Sequence, residues 1–181
     1  ERWSLVYSLN PMAGVVNVRT IERTSGVTLS GSGGSYGRAD ATLLTGFDHG
    51  KDGVVFALRG VRERGWRPNA GYRLCQAHAR LVHDLSATST VDAGIELYAS
   101  GWDSPGFLTL GQFNRRLFDT VSNGSDGGFK RRAQERVSLR VVGSSGLLWR
   151  TTAYATQGRW QLFLTTPPGG GGGEGSGSRN R

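Results

Sequence analysis

The residue types that most often carry out catalysis or hold metals are few in this chain, and their spacing fits neither role. The three histidines, His49, His78 and His83, lack the HExxH arrangement of a zinc site, and Cys75 is the single cysteine. His78 and His83 lie five positions apart, so a regular strand would point their side chains to opposite faces. The sequence therefore predicts no catalytic residue, no metal site and no cofactor, and it indicates that the protein is not an enzyme.

Two glycine-rich segments have the composition of functional loops but not their spacing. Gly31–Ser35 is followed by neither a helix nor the Lys-Ser/Thr pair of a phosphate-binding loop. Gly143–Gly146 lacks the Gly-x-Ser-x-Gly spacing of a nucleophile elbow. We interpret the first segment as a flexible strand end and the second as a tight hairpin.

The chain is strongly basic, with 22 Lys and Arg against 14 Asp and Glu and a formal net charge of +8. Arginine binds both phosphate and carboxylate, so this surplus favours anionic partners. No recognisable RNA- or DNA-binding motif accompanies it, and a solvated surface explains it equally well. The basic residues form three clusters in segments that we predict to be loops: Arg62, Arg64 and Arg67; Arg115 and Arg116; Lys130, Arg131 and Arg132.

Alternation of apolar and polar residues is the strongest pattern along the chain, and it predicts strands. Composition argues against a helical bundle, because 29 glycines would destabilise helices repeatedly. No helix-length periodic segment separates the strands, so we expect hairpins and an antiparallel sheet. The predicted strands are 27–34, 38–47, 54–61, 73–82, 91–100, 136–142 and 147–156.

The ionisable residues of these strands lie on the polar phase, with Arg73, at a strand end, as the exception. This phase mixes opposite charges with Gly, Ser, Thr and Tyr, a mixture that suits a water-filled interior. The residues on the polar phase are Arg38, Asp40, Arg59, His78, Arg80, Asp92, Glu96, Arg140 and Arg150.

Two all-β architectures alternate in this way. Strands of a soluble sandwich usually run about five or six residues, whereas membrane-spanning barrel strands need about 9 to 11. Most of the predicted strands approach the longer value, which favours an antiparallel transmembrane β-barrel. The connections 48–52, 83–90 and 143–146 on one side are short. On the other side 63–71, 101–135 and the segment after 157 are long, with the short connection 36–37 as the exception. Short turns on one side and long loops on the other are typical of outer-membrane barrels.

Aromatic residues give a second indication of a membrane. They lie at or just beyond the predicted strand ends on the long-loop side, where amphipathic rings form a girdle at a membrane interface. Large aromatics also end strands in many soluble sheets, so it is their one-sidedness that favours the membrane. These residues are Tyr36, Trp66, Tyr72, Tyr98, Trp102, Tyr154 and Trp160.

The N-terminal segment differs from the rest, since a turn at Asn10-Pro11 precedes a short strand. Its sequence at 14–20, Gly-Val-Val-Asn-Val-Arg-Thr, resembles the stretch that closes the plug domain of TonB-dependent outer-membrane receptors. Ser100–Phe107 resembles a tract from an early barrel strand into a long extracellular loop of that family. Tyr154–Thr156, Trp160–Thr165 and Pro167-Pro168 resemble a later extracellular loop. These matches follow the order of the family and span most of the chain.

The resemblance implies two regions: the C-terminal end of a plug domain at 1–25, and the N-terminal part of a β-barrel with long extracellular loops at 26–181. Such receptors form barrels of about 22 strands around a plug, so about seven strands make a partial barrel. We therefore expect a fragment of a receptor. The glycine-rich tail at 169–181 fits either a native extracellular loop or an expression linker.

The resemblance further implies energy-coupled uptake of a scarce, bulky ligand, such as a ferric siderophore, across the outer membrane of a Gram-negative bacterium. The implied partners are that ligand, outer-membrane lipid and lipopolysaccharide, and the TonB complex acting through a missing N-terminal part. In the extracellular loops, the implied ligand-binding residues are Arg64, Arg67, Arg115 and Arg116.

On the lumen-facing phase the charged residues have two interpretations. In the first, the arginines set the electrostatic field for an anionic ligand. In the second, the arginines are structural and pair with Asp40, Asp92 and Glu96. The residues concerned are Arg38, Arg59, Arg80, Arg140, Arg150, Asp92 and Glu96.

Two other classes of function stay open. A soluble, basic β-sandwich would bind polyanions or nucleic acid with a steep salt dependence. A remnant of a degraded receptor gene would have no transport function.

Overall fold

One antiparallel sheet makes up nearly all of the structure. We describe residues 21–121 and 124–165 of a computed structural model. Seven strands lie side by side in chain order, which confirms the predicted all-β class and the predicted number of strands. The strands are β1 (Gly26–Gly34), β2 (Arg38–His49), β3 (Asp52–Glu63), β4 (Tyr72–Ser86), β5 (Ser89–Asp103), β6 (Gly127–Val142) and β7 (Leu148–Phe163).

The connections alternate between the two ends of the sheet, as predicted. At one end, which we name the short-turn end, the segments 50–51, 87–88 and 143–147 join the strands. At the other, the long-loop end, the segments 35–37, 64–71 and 104–126 do so. Gly50 in the first tight turn has φ 58°, a left-handed conformation that favours glycine.

Several strands are longer than the sequence predicted, and the largest error concerns β6. The predicted loop 101–135 covers only 104–126, because β6 begins at Gly127 rather than at 136. The first half of β6, Gly127–Glu135, is mostly Gly and charged residues, so it shows no apolar alternation. Pairing with β5 on one side and β7 on the other makes it a strand. The prediction that Lys130, Arg131 and Arg132 lie in a loop was therefore wrong.

The strand register divides the side chains into two faces, since residues directly opposite each other share a face. One row across the sheet pairs Val54 with Leu81, Leu81 with Ala93, and Ala93 with Val137. We name the face that carries this row the apolar face. The neighbouring row pairs Val55 with Arg80 and Arg80 with Gly94. We name its face the polar face.

Burial is the reverse of what a soluble sheet shows. On the apolar face, Leu29 is 77% exposed and Trp149 is 65% exposed. On the polar face, Arg80 is 5% exposed and Ser138 is 4% exposed. The buried apolar side chains of the described residues, Val55 among them, also lie on the polar face. Large apolar side chains thus face outward, and most charged side chains of the polar face on β4, β5 and β6 are partly or fully sheltered. Arg38, Arg59 and Arg150, on strands nearer the edges of the sheet, are exposed.

The segment that leads into β1 lies over the polar face at the short-turn end. A Cβ at Gly46 would lie 2.5 Å from the carbonyl oxygen of Thr24. A Cβ at Gly53 would lie 2.8 Å from Cγ of Arg23. Gly46 and Gly53 both belong to the polar face, so the absence of side chains there lets this segment approach the sheet closely. The predicted plug strand at 14–20 lies outside the described residues.

A five-residue helix, α1 (Leu110–Asn114), lies within the longest loop. Its capping box joins Thr109 and Gln112: the Gln112 N–H donates to Thr109 Oγ1 at 3.2 Å, and the Thr109 N–H donates to Gln112 Oε1 at 2.8 Å. Across the described part of the chain, the helices are too short and too polar to span a membrane.

Candidate functional site

The best-formed charged cluster lies on the polar face, where β4, β5 and β6 adjoin. The Arg80 guanidinium donates to both carboxylate oxygens of Asp92, at 2.8 and 2.7 Å. Arg136 donates to the same carboxylate at 3.1 and 3.0 Å. Arg80 also reaches Glu22 at 3.3 Å and donates to the carbonyl oxygen of Ile21 at 3.1 Å. This network fastens the segment before β1 to the sheet.

Other lumen-phase charges are also paired. Arg59 grips Asp40 with two hydrogen bonds of 3.2 and 2.6 Å, and Arg38 contacts Glu63 at 3.2 Å. Glu96 accepts a hydrogen bond from Arg132. The structural interpretation, in which these charges form ion pairs, thus agrees with the contacts of Arg59, Arg80, Asp92 and Glu96. Arg132, which we had assigned to a loop, and Glu63 are partners that the sequence analysis missed.

Arg140 and Arg150 lie directly opposite each other on β6 and β7. Arg140 donates to Thr90 Oγ1 at 3.2 Å. The ion pairs of the described residues include neither Arg140 nor Arg150. Of the arginines on the predicted polar phase, these two therefore remain candidates for setting the electrostatic field around an anionic ligand.

Arg23 connects the chain before β1 to two tight turns. Its guanidinium donates to Asp48 at 2.9 Å, to Asp84 at 2.6 Å and to the carbonyl oxygen of Lys51 at 3.3 Å. The hydrogen bond to Asp48 is the largest cause that raises the pKa of Arg23 above its usual value. With the contacts of Arg80, these bonds hold residues 21–24 at the short-turn end of the polar face.

Arg67, one of the predicted ligand-binding residues, instead ties the two long loops together. It donates to the carbonyl oxygens of Gly106 at 3.3 Å and Thr120 at 2.6 Å. Asn69 from the same loop donates to the carbonyl oxygen of Ser104 at 2.8 Å. Both terminal nitrogens of Arg67 are therefore occupied by backbone, while its buried Nε has no hydrogen-bond partner in the described part of the chain.

The other predicted loop residues are exposed. Arg64 follows β3, and its side chain lies beside Gly37, where a Cβ would be 3.1 Å from Arg64 Cδ. Arg115 and Arg116 follow helix α1, and Arg115 Nε donates to the carbonyl oxygen of Gly111 at 3.2 Å. The hydrogen bonds of Arg67, which we name the loop clamp, join the loops 64–71 and 104–126. Arg64, Arg115 and Arg116 are exposed on these loops.

The predicted aromatic residues are only partly where the sequence placed them, and those on strands lie on the polar face. Tyr72 and Trp102 lie opposite each other on the polar face, and Tyr98 lies beside Arg132 on that face, with its ring 6.0 Å from the Arg132 guanidinium carbon. Tyr154 and Trp160 belong to the same face. Tyr72 begins β4 and Trp102 is the last residue but one of β5, so both lie at strand ends on the long-loop side, as predicted. Tyr98, Tyr154 and Trp160 instead lie inside strands that extend past their predicted ends. Tyr36 and Trp66 lie in connections.

A basic cluster on the apolar face was also missed. Arg62 lies opposite Arg73, and Arg131 lies opposite Arg159, all at the long-loop end. Arg62 and Arg131 had been assigned to loops and Arg73 was an unexplained exception, because the predicted strands were too short. If the predicted strands had been a few residues longer, the alternation of side chains would have placed all four arginines on one face.

Metal chemistry finds no support in the part of the chain that the structure describes. No group of three or more His, Cys, Asp or Glu side chains there is placed to hold a metal ion. His83 Nδ1 lies 2.6 Å from Asp52 at the short-turn end, as an isolated pair. The buried Nε2 of His78 has no hydrogen-bond partner among the described residues.

These features define a class of structure: an all-β, single-sheet protein with one apolar face and one charged, ion-paired face. The chain matches no family model, no curated protein and no solved structure. The two faces of the sheet therefore carry the functional argument.

Proposed function

We propose that this chain is part of a membrane-spanning β-barrel, specifically of a TonB-dependent outer-membrane receptor that takes up a bulky ligand such as a ferric siderophore. The observation that carries the proposal is the reversed burial: the apolar face is exposed, and the charged face is sheltered at its centre, around Arg80 and Ser138. A barrel in a bilayer needs this arrangement, with apolar side chains toward lipid and polar ones toward the lumen.

The height of the apolar band fits a bilayer. On β3 the apolar-face residues Val54, Phe56 and Leu58 lie between Asp52 and Arg62, ten residues apart. Ten residues of strand extend about 33 Å, and a tilt of about 40° reduces this to about 25 Å of height. On β4, His83 and Arg73 bound the band at the same spacing. The lipid-facing band of outer-membrane barrels is about 25 Å tall.

Aromatic side chains border this band at both ends. Phe47 and Trp149 lie on the apolar face at the short-turn end and are 58% and 65% exposed. Phe129 and Phe163 lie on the same face at the long-loop end. Two rings at each end are the arrangement expected of aromatic belts at two membrane interfaces. These four residues lie on the apolar face, whereas the strand residues of the predicted girdle lie on the polar face.

The polar face supports the transport part of the proposal. Its ion pairs hold residues 21–24 against the polar face, where the end of a plug domain would lie. The exposed Arg64, Arg115 and Arg116 at the long-loop end offer guanidinium groups to an anionic ligand arriving from outside. Coupling to the TonB complex follows from the resemblance alone.

Sequencing the gene on both sides of this segment tests the receptor proposal first. A secretory signal and plug upstream, and about fifteen further alternating strands downstream, are the expected result. A reading frame that starts and stops at the ends of this chain would overturn it.

The orientation of the faces is tested in the full-length gene product reconstituted in phosphatidylcholine vesicles. With Cys75→Ser as background, nitroxide labels at 93–98 of β5 report contact with oxygen in lipid or with a water-soluble nickel chelate. Positions 93, 95 and 97 should contact oxygen, and 94, 96 and 98 the chelate. A protein that stays dissolved in buffer and binds heparin with a steep salt dependence would instead establish the soluble sandwich.

The ligand residues are tested by reversing two charges in the receptor, Arg115→Glu with Arg116→Glu. With a panel of ferric catecholate and ferric hydroxamate siderophores as probes, weaker binding of the accepted siderophore supports loop recognition. Unchanged affinity and uptake would remove Arg115 and Arg116 from the binding site.

A further inference from the structure

We propose that the apolar face binds the phosphate of an anionic lipid at its long-loop end, with the acyl chains lying along the apolar band. This inference rests on the proposed function, because it requires the apolar face to contact a bilayer. Its binding residues are Arg62, Arg73, Arg131 and Arg159, together with Phe129.

The four arginines form two directly opposed pairs, Arg62 with Arg73 and Arg131 with Arg159. Like charges placed opposite each other on adjacent strands destabilise a sheet. All four side chains are exposed, and the ion pairs of the described residues include none of them. Asp103, a carboxylate of this face at the same end, is likewise in none of these pairs. An external anion would relieve the repulsion.

The side chains of Arg73, Arg131 and Arg159 are arranged around the ring of Phe129. The guanidinium carbons of Arg131 and Arg159 each lie 5.6 Å from the centre of the Phe129 ring. Gly101 lies between Arg73 and Phe129 in the register. A Cβ at Gly101 would lie 3.1 Å from Arg73 Nε, so the missing side chain lets Arg73 cross β5 toward Phe129. Three arginines thus converge from three strands.

The surface beside the arginines is a shallow apolar groove. Arg73 and Arg131 line one part of it with Ala99 and Cys75, and Arg131 and Arg159 line an adjoining part with Ala77. The small side chains leave room for a chain to lie against the sheet. Toward the short-turn end, the groove continues into the apolar band.

This combination selects a lipid over a free anion. A small anion needs only the guanidinium groups, and the polar face offers those too at Arg140 and Arg150. On the apolar face the charges lie at the edge of a band about 25 Å tall, at the depth where lipid phosphates lie. Arginine at this position pairs with phosphate through its planar fork while its methylenes stay in the apolar layer.

The test compares two double variants of the full-length gene product in phosphatidylcholine vesicles with and without phosphatidic acid. Arg131→Gln with Arg159→Gln removes one opposed pair from the apolar face. Arg140→Gln with Arg150→Gln removes the other opposed pair of the same two strands from the polar face, and so controls for the loss of charge. Native mass spectrometry of the extracted protein counts the phosphatidic acid that is retained.

We expect preferential retention of phosphatidic acid by the wild type, a loss of about tenfold in the apolar-face variant, and no change in the polar-face variant. Inorganic phosphate should not displace the lipid. Equal loss in both variants, no preference in the wild type, or displacement by inorganic phosphate would overturn the lipid site while leaving the barrel intact. A protein that fails to enter phosphatidylcholine vesicles would overturn the barrel and the lipid site together.

Discussion

The arginines of the two faces differ in whether they form ion pairs. On the polar face, Asp92 is shared by Arg80 and Arg136, and Asp40 by Arg59, so that most arginines have a carboxylate. On the apolar face, Arg62 and Arg73 oppose each other without an ion pair in the described residues. Among the described residues, the most sheltered charges of the polar face are paired, whereas the four exposed arginines at the long-loop end of the apolar face are not.

This difference indicates two different surroundings. Charges inside a sheltered region need partners because desolvation is costly, and the polar face supplies them. Charges at the edge of the apolar band have partners outside the described residues or in the surrounding medium. A soluble sandwich would require the opposite assignment, with the apolar face sheltered.

The largest effect is expected from placing a charge on each face at neighbouring positions. Leu43 lies on the apolar face opposite Leu58, and Leu44 lies on the polar face opposite Ala57. In a bilayer, Leu43→Arg should destabilise the protein by about 2–4 kcal/mol. Leu44→Arg should cost less than about 1 kcal/mol, since in the proposed barrel its guanidinium would reach a water-filled lumen. Urea unfolding in vesicles, followed by tryptophan fluorescence, measures both; equal costs would contradict the assignment of the faces.

The next effect concerns the shared carboxylate of the polar face. Asp92→Asn leaves Arg80, whose side chain is 4% exposed, without its main partner. Removing one member of such a sheltered pair should cost about 2–4 kcal/mol. Asp40→Asn is the control, because its partner Arg59 is 46% exposed and water screens this pair, so its loss should cost much less. The same unfolding measurement decides, and a cost for Asp40→Asn as large as for Asp92→Asn would show that burial is not the cause.

A smaller gain is expected at the one carboxylate within the apolar band. Glu135 lies on the apolar face opposite Ile95 and Ala155 and is exposed. Glu135→Val should stabilise the protein in vesicles by about 1 kcal/mol, because it removes a charge from the lipid-facing surface. Gln134→Val, on the polar face next to it, should give no gain. If both variants behave alike, the band does not contact lipid at this position.

The sequence predicts a strand of this structure well where successive residues differ clearly in polarity. Segments such as 91–100 alternate clearly, so strand and face were both predicted. The start of β6 is charged on both phases, at Lys130 and Arg131 alike, so only its pairing with β5 and β7 reveals it. The basic cluster of the apolar face and the true positions of the aromatics were hidden by the same shortened strands.

The loop clamp could not be predicted for a different reason. Arg67 hydrogen-bonds to backbone carbonyl oxygens 39 and 53 residues away, and no local pattern encodes such a contact. A cluster of arginines in a loop looks the same whether its members bind a ligand or brace the loop. The structure separates Arg67, which braces, from the exposed Arg64, Arg115 and Arg116.

The smallest effect on global stability is expected in that loop clamp, where a local measurement is sharper. Arg67→Gln removes the hydrogen bonds to Gly106 and Thr120, so amide exchange in the loop 104–121 should speed up severalfold while the strands keep their protection. Arg115→Gln is the matched control, because the Arg115 side chain donates to Gly111 within its own helical turn, and exchange beyond that turn should not change. Hydrogen exchange followed by mass spectrometry compares the two. Equal exchange in the Arg67 variant and the wild type would show that Arg67 does not brace the loops and would return it to the candidate ligand residues.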